Sequence, residues 1–191
     1  MKNPSQRVGV FIDVQNMYYS ARALYESKVN FAEILKTAVA DRQLVRAIAY
    51  TIRAEMPEEQ TFFDALEKIG IEVKTKDLQT FIGGAQKGDW DVGIAVDVVR
   101  HAPKLDAAVI CSGDGDFEPL LEYVQSLGCR AEVISFGRST SSKIVAHADS
   151  FTDLDHEPRY LIKSRRRPGG RRPQTPTGKD GDSRTDSAQH S

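Results

Sequence analysis

The chain reads as an α/β domain with a mostly parallel central sheet and helices on both faces. Three observations predict this. Short apolar runs of strand length recur along residues 1–157. Segments of helical composition separate them, and that alternation is the mark of a parallel sheet. Carboxylates stand just past the ends of two apolar runs, Asp13 after VGVFI and Asp114 and Asp116 after DAAVICS.

Each element has a local reason. VGVFI (8–12) is an apolar strand, and residues 16–27 are helical in composition. Asn30 caps a second helix, FAEILKTAVA, with Glu33 three positions on. LVRAIAYTI (44–52) is the next strand. Pro57 opens a helix over PEEQTFFDALEKI that Gly70 closes, and IEVKTK (71–76) is a half-exposed strand. A loop with Gly83 and Gly84 leads into DWDVGIAVDVVRHA, a helix stopped by Pro103. DAAVICS is a strand, FEPLLEYVQSL a helix closed by Gly128, RAEVISF a strand, SSKIVAHA a helix and SFTDL a last short strand.

Composition sets limits. A chain of 191 residues with 40% apolar content buries one ordinary core. Cys111 and Cys129 lie in apolar segments without CxxC spacing, as expected of reduced thiols in a cytoplasmic protein. No signal-peptide core opens the chain, and no apolar run reaches the roughly 20 residues of a membrane helix, so no membrane partner is expected. The net charge of −1 hides an asymmetry: residues 158–191 carry 9 Lys+Arg against 3 Asp+Glu, leaving −7 for residues 1–157. This tail, rich in Pro, Gly, Ser and Arg, is too poor in apolar side chains to fold. A domain over 1–157 and a basic, disordered tail over 158–191 are therefore expected.

In open α/β sheets ligands bind outside the carboxyl ends of the strands. If the first and fourth strands are neighbours there, Asp13, Asp114 and Asp116 converge. KGDWDVGIAVD adds Asp91 in the first turn of a helix and Asp97 about 120° further around it. Asp97 interrupts an apolar face and needs a partner. Hard divalent cations such as Mg²⁺ take oxygen ligands, and a cation relieves the repulsion among clustered carboxylates.

Three blocks, FIDVQN (11–16), KGDWDVGIAVD (87–97) and SGDGDFEPLLE (112–122), resemble the motifs of the NYN domain, in its bacterial LabA-like branch of the PIN-like nuclease superfamily. The likeness covers roughly residues 7–155 and extends to STSSKIVAHADSF near the end. It implies a Rossmann-like three-layer sandwich and Mg²⁺- or Mn²⁺-dependent ribonuclease activity leaving a 5′-phosphate and a 3′-hydroxyl. It places catalysis and metal binding at Asp13, Asp91, Asp114 and Asp116, with Asn16 in support.

Several residues carry two readings. Asp13 alone is a turn or cap residue, and Asn16 serves equally as helix cap or site support. Asp114 and Asp116 suit an Asx-turn as well as a metal. Ser112 and Asp97 are supporting candidates, and Asp89 reads as a helix cap. Lys87, Arg138, Ser139, Ser142 and Lys143 are the candidate nucleic-acid contacts, although exposed lysines and Ser/Thr caps explain them too. Trp90 either stacks on a base or packs. His101, His147, His156 and His190 show no ligand spacing, and there is no Ser-His-Asp set, P-loop or GxGxxG fingerprint. The expected partner is RNA, with a homodimer or regulatory protein partner left open. The rival reading is a non-catalytic RNA- or protein-binding regulatory module on the same fold.

Overall fold

The computed structural model describes residues 3–53, 57–77, 79–80, 86–87 and 89–162. The elements are β1 (Arg7–Asp13), α1 (Val14–Tyr25), β2 (Lys28–Val29), α2 (Phe31–Val39), β3 (Gln43–Arg53), α3 (Pro57–Lys68) and β4 (Glu72–Asp77). They continue with β5 (Gln79–Thr80), β6 (Gln86–Lys87), α4 (Asp91–His101), β7 (Ala107–Cys111), α5 (Glu118–Ser126), β8 (Arg130–Ser135), α6 (Ser142–His147), β9 (Ser150–Asp153) and β10 (Leu161–Ile162).

Six strands form one sheet in the order β4-β3-β1-β7-β8-β9, with every pairing parallel. The chain lays down β1, moves outward through β3 and β4, then returns to the other side of β1 for β7, β8 and β9. That reversal is a topological switch point between β1 and β7. The sequence expectation of a parallel sheet between helical layers holds.

Both faces of the central strands are covered, so β1 and β7 are apolar throughout their interiors. On one face Val8, Val10 and Ile12 pack with Met17, Ile34 and Ala38 of α1 and α2. On the other, Phe11 and Ile110 pack with Ile94, Leu121 and Ile144 of α4, α5 and α6. Gly9 is required where it stands: a Cβ there would lie 2.6 Å from Leu105 and 3.0 Å from Phe11. At the amino edge the buried Arg42 guanidinium donates to both oxygens of Glu132, at 3.0 and 2.9 Å, and to the Ala38 and Val39 carbonyls. Those bonds offset the desolvation of a charge pair held inside.

Two expectations change. Helix α1 starts at Val14 rather than residue 16, because Asp13 itself is the N-cap. The packed chain also runs past Glu157. Tyr160 is 1% exposed, with its hydroxyl 3.1 Å from Thr37 Oγ1, and β10 pairs antiparallel with β2. Composition concealed this because only two packed apolar residues, the buried Tyr160 and the partly buried Leu161, open an otherwise polar tail. The loop glycines Gly83 and Gly84 and residues 163–191 lie outside the described residues.

Truncation should expose this boundary. Ending the chain after Glu157 removes Tyr160 and β10 and should cost about 3 kcal/mol, by analogy with deletion of a buried aromatic ring. Ending it after Ile162 should not. Urea midpoints of the two truncations against the full chain check this, and equal midpoints would return the boundary to 157.

Candidate metal centre

The register of β1 on β7 fixes the site. Ile12 stands opposite Cys111, so Asp13 and Ser112 leave the sheet side by side. Asp13 is 9% exposed. Its Oδ1 accepts the Asn16 backbone N–H at 3.0 Å and its Oδ2 accepts the Ser112 hydroxyl at 3.3 Å. Ser112 Oγ in turn accepts the Asp114 N–H at 3.2 Å, and Asp114 Oδ1 accepts the Asp116 N–H at 3.0 Å. This is the Asx-turn read in the sequence, formed together with the carboxylate cluster rather than instead of it.

Asn16 is a bridge, not a cap. Its Oδ1 accepts the Gly113 N–H at 2.9 Å, tying the start of α1 to the loop after β7. The glycines of that loop allow it to lie against the Ser139–Ser142 turn. A Cβ on Gly113 would stand 2.9 Å from Ser135 Oγ and 3.0 Å from Thr140 Oγ1, and one on Gly115 would stand 2.6 Å from Ser141 Oγ. The Gly113 carbonyl also accepts the Ser141 N–H at 2.9 Å.

Electrostatics join Asp91 to the group. Burial pushes the Asp13 carboxyl up to about 6, and the charges of Asp91 and Asp114 add to the rise against the Asn16 and Ser112 hydrogen bonds. Asp91, in the first turn of α4, is also raised, first by burial and then by Asp114, Asp89 and Asp116. Carboxylates from β1, α4 and the loop after β7 thus share one field. A hard cation with oxygen ligands fits that donor set.

The fit is open rather than closed. Among the described residues, only Glu118, Glu122 and His147 bring three ligand atoms within 4.8 Å of one another. The aspartates form no such group. Mg²⁺ keeps several waters and needs only one or two direct carboxylates. Asp13, Asp91 and Asp114 are the carboxylates whose charges meet here, with Asp116 exposed beside them.

Asp97 is placed elsewhere. It is 6% exposed and accepts the Tyr50 hydroxyl at 2.9 Å and the Lys74 ammonium at 2.6 Å. Burial raises it, but the Lys74 and Tyr50 hydrogen bonds outweigh this and hold it below the usual carboxylate range. Its partner is therefore the Tyr50–Lys74 pair. Trp90 packs: its indole N–H donates to the Thr51 carbonyl at 2.7 Å, its ring lies 5.3 Å from Tyr50, and Lys76 stands 4.2 Å above it. Trp90, not Asp89, is the N-cap of α4.

The candidate nucleic-acid contacts divide. Arg138 lines a groove of about 640 Å³ beside the carboxyl ends of β8 and β9, with its guanidinium 3.7 Å from Asp155 and 4.9 Å from the Tyr25 ring. Ser142 also lines that groove, and Ser142 and Lys143 are exposed at the start of α6. The Ser139 hydroxyl is engaged with Ser20 at 2.8 Å and with the Phe136 carbonyl. Lys87 lies on β6, and its side chain is outside the described residues. Sequence reading passed over Ser135, whose buried hydroxyl has no partner among the described residues. The alternating glycines of SGDGD were the available signal for a close approach there.

The fold is a doubly wound α/β domain with acidic side chains at its switch point. The chain belongs to the NYN domain family, whose model matches residues 7–155, and so to the NYN/PIN-like nuclease superfamily. It is similar to the low amplitude and bright protein LabA of Synechococcus elongatus, 27% identical over 175 residues that span 84% of this chain and 90% of LabA. It is also similar to a protein of unknown function from Vibrio parahaemolyticus solved by crystallography, with 32% identity and a TM-score of 0.77 over 85% of this chain and 99% of that one.

Two outcomes follow from the site. Because its pKa is raised, Asp13 binds more protons folded than unfolded between about pH 4 and 6, so stability is lost as pH rises through that window. Asp13→Asn keeps an oxygen for the cap and should stabilise the metal-free protein at pH 7 by on the order of 3 kcal/mol, with the gain vanishing below about pH 4. Melting curves from pH 4 to 8 measure it, and a pH-independent difference would contradict the assignment. Gly113→Ala should cost about 1–3 kcal/mol through overpacking against Ser135 and Thr140. Denaturant titration of that variant reads the cost directly.

Proposed function

We propose that the protein is a Mg²⁺- or Mn²⁺-dependent ribonuclease that hydrolyses RNA phosphodiester bonds. The observation that carries this is the convergence of Asp13, Asp91 and Asp114 at the switch point, one of them buried and raised to about 6. Family membership supports it, since NYN domains act on RNA and PIN-like nucleases typically use a divalent metal.

In this reading Asp13, Asp91 and Asp114 hold the ion, and Asp116 reaches it through water. A bound divalent cation supplies Lewis-acid polarisation of a phosphoryl oxygen and lowers the pKa of a coordinated water. The chain's own residues do the positioning. The N–H of Asn16 and the hydroxyl of Ser112 fix the two oxygens of Asp13. Asn16 holds the Gly113 loop, which carries Asp114, against the start of α1. Asp116, or Asp91 from its place in the first turn of α4, would orient the attacking water. Arg138 and Lys143 bring positive charge to a crevice that otherwise repels RNA.

The test is incubation of labelled single-stranded RNA with the protein in Mn²⁺ or EDTA. Cleavage should require the metal and be lost in Asp114→Asn. The wild type should gain about 2.7 kcal/mol of stability when Mn²⁺ is a hundredfold above its Kd. Asp114→Asn should gain far less. Metal-dependent cleavage that survives Asp114→Asn would remove the site assignment, and absence of both cleavage and a melting shift would remove the enzymatic reading.

A further inference from the structure

We propose that the outer side of α1 is a subsite for single-stranded RNA, in which nucleobases stack on Tyr18 and Tyr19 while Arg22 and Lys28 meet the phosphates. It rests on the ribonuclease reading for its orientation and extends it to a substrate class. Helix α1 turns Val14, Met17, Ser20 and Ala21 into the core. Its opposite side, where an amphipathic helix ordinarily carries charge, presents two consecutive tyrosines instead, 38% and 61% exposed. Their rings lie edge to face, 5.6 Å apart at 71°. Arg22 donates from Nη1 to the Tyr18 hydroxyl at 3.0 Å and holds its guanidinium 6.0 Å from that ring.

A groove of about 290 Å³ continues from the Tyr18 ring, lined by Tyr18, Arg22, Glu26, Ser27 and Lys28. Two cations beside an aromatic face suit a nucleotide: the ring offers a sequence-tolerant stacking surface and the cations answer the backbone. Glu26 disfavours a phosphate at its own position and accepts N–H groups of a base edge. The position is also right. Asn16, which holds the Gly113 loop, is three residues before Tyr19 and is its neighbour on the helix surface. At 1.5 Å per residue Tyr19 stands about 9 Å along the helix axis from Asp13. A strand with one phosphate at the carboxylates therefore reaches Tyr19, Tyr18 and Lys28 within a few nucleotides. Only unpaired bases are free to stack this way, so duplex RNA is not a ligand for the rings.

The test uses the full chain carrying Asp114→Asn, so that the RNA stays intact, with fluorescence anisotropy of a short labelled single strand in EDTA. Adding Tyr18→Ala or Tyr19→Ala should raise Kd about 5- to 100-fold each. Tyr19→Trp should keep or tighten binding, and neither alanine variant should alter the affinity for a duplex of the same sequence. Arg22→Ala should weaken binding and reduce the salt slope by about 0.7. Unchanged single-strand affinity in both alanine variants, equal losses on duplex, or no single-strand binding at all would overturn the subsite. Cleavage by the wild type in Mn²⁺ is scored separately. Cleavage with tyrosine-independent binding overturns the subsite alone, and tyrosine-dependent binding without cleavage supports the subsite and removes the catalytic reading.

Discussion

The parallel pairing of β1 with β7 is the constraint on which the rest depends. Both strands are covered on both faces, so their interiors admit only apolar side chains, and the first polar positions fall at their carboxyl ends. A slip of one residue would turn Val10 and Ile12 toward the wrong layer, so the register is strongly fixed. With Ile12 opposite Cys111, Asp13 and Ser112 emerge together and the Gly113–Asp116 loop opens directly above them. The site is thus positioned by the packing of the hydrophobic layers beneath it.

What is assembled there is costly for the free protein. Asp13 is buried near two other carboxylates, and its hydrogen bonds from Asn16 and Ser112 do not restore its usual pKa. Stability is spent to hold these acidic groups together, and a cation of hard oxygen preference is the kind of ligand that would relieve them. The opposite end of the sheet shows a different solution. There Glu132 is buried against Arg42 with both oxygens bonded, and the pair is complete without any ligand. One end of the sheet is self-sufficient and the other is not.

Much of this was legible in the residues. The alternation of apolar runs with helical segments specified the sheet, and Asp13 and Asp114 could be placed at its edge from the strand ends alone. The role of Asn16 was not legible, because an asparagine three residues after a strand caps a helix as readily as it bridges to a distant loop. The partner of Asp97 was hidden for the same reason: Tyr50 and Lys74 come from β3 and β4, and only the tertiary fold brings them to α4. Trp90 illustrates the converse, since its packing against Tyr50 and Thr51 depends on contacts remote in sequence. The packing of Tyr160 and the pairing of β10 were hidden because composition averages over a window, and Tyr160 and Leu161 are too few to shift the average of a long polar tail.

The pairing of β10 with β2 has a polymer consequence. Ile162 stands opposite Lys28, so the covalent path into the arginine-rich residues starts from a fixed anchor beside the α1 groove. Arg165 follows three residues later, within about 10 Å of extended chain from that anchor. A tethered charge behaves as a reagent at high effective concentration, set by the length of its leash rather than by the amount of protein in solution. For the arginines at 165–167 and 171–172 that leash is counted from Ile162, so two residues of antiparallel strand fix where it begins.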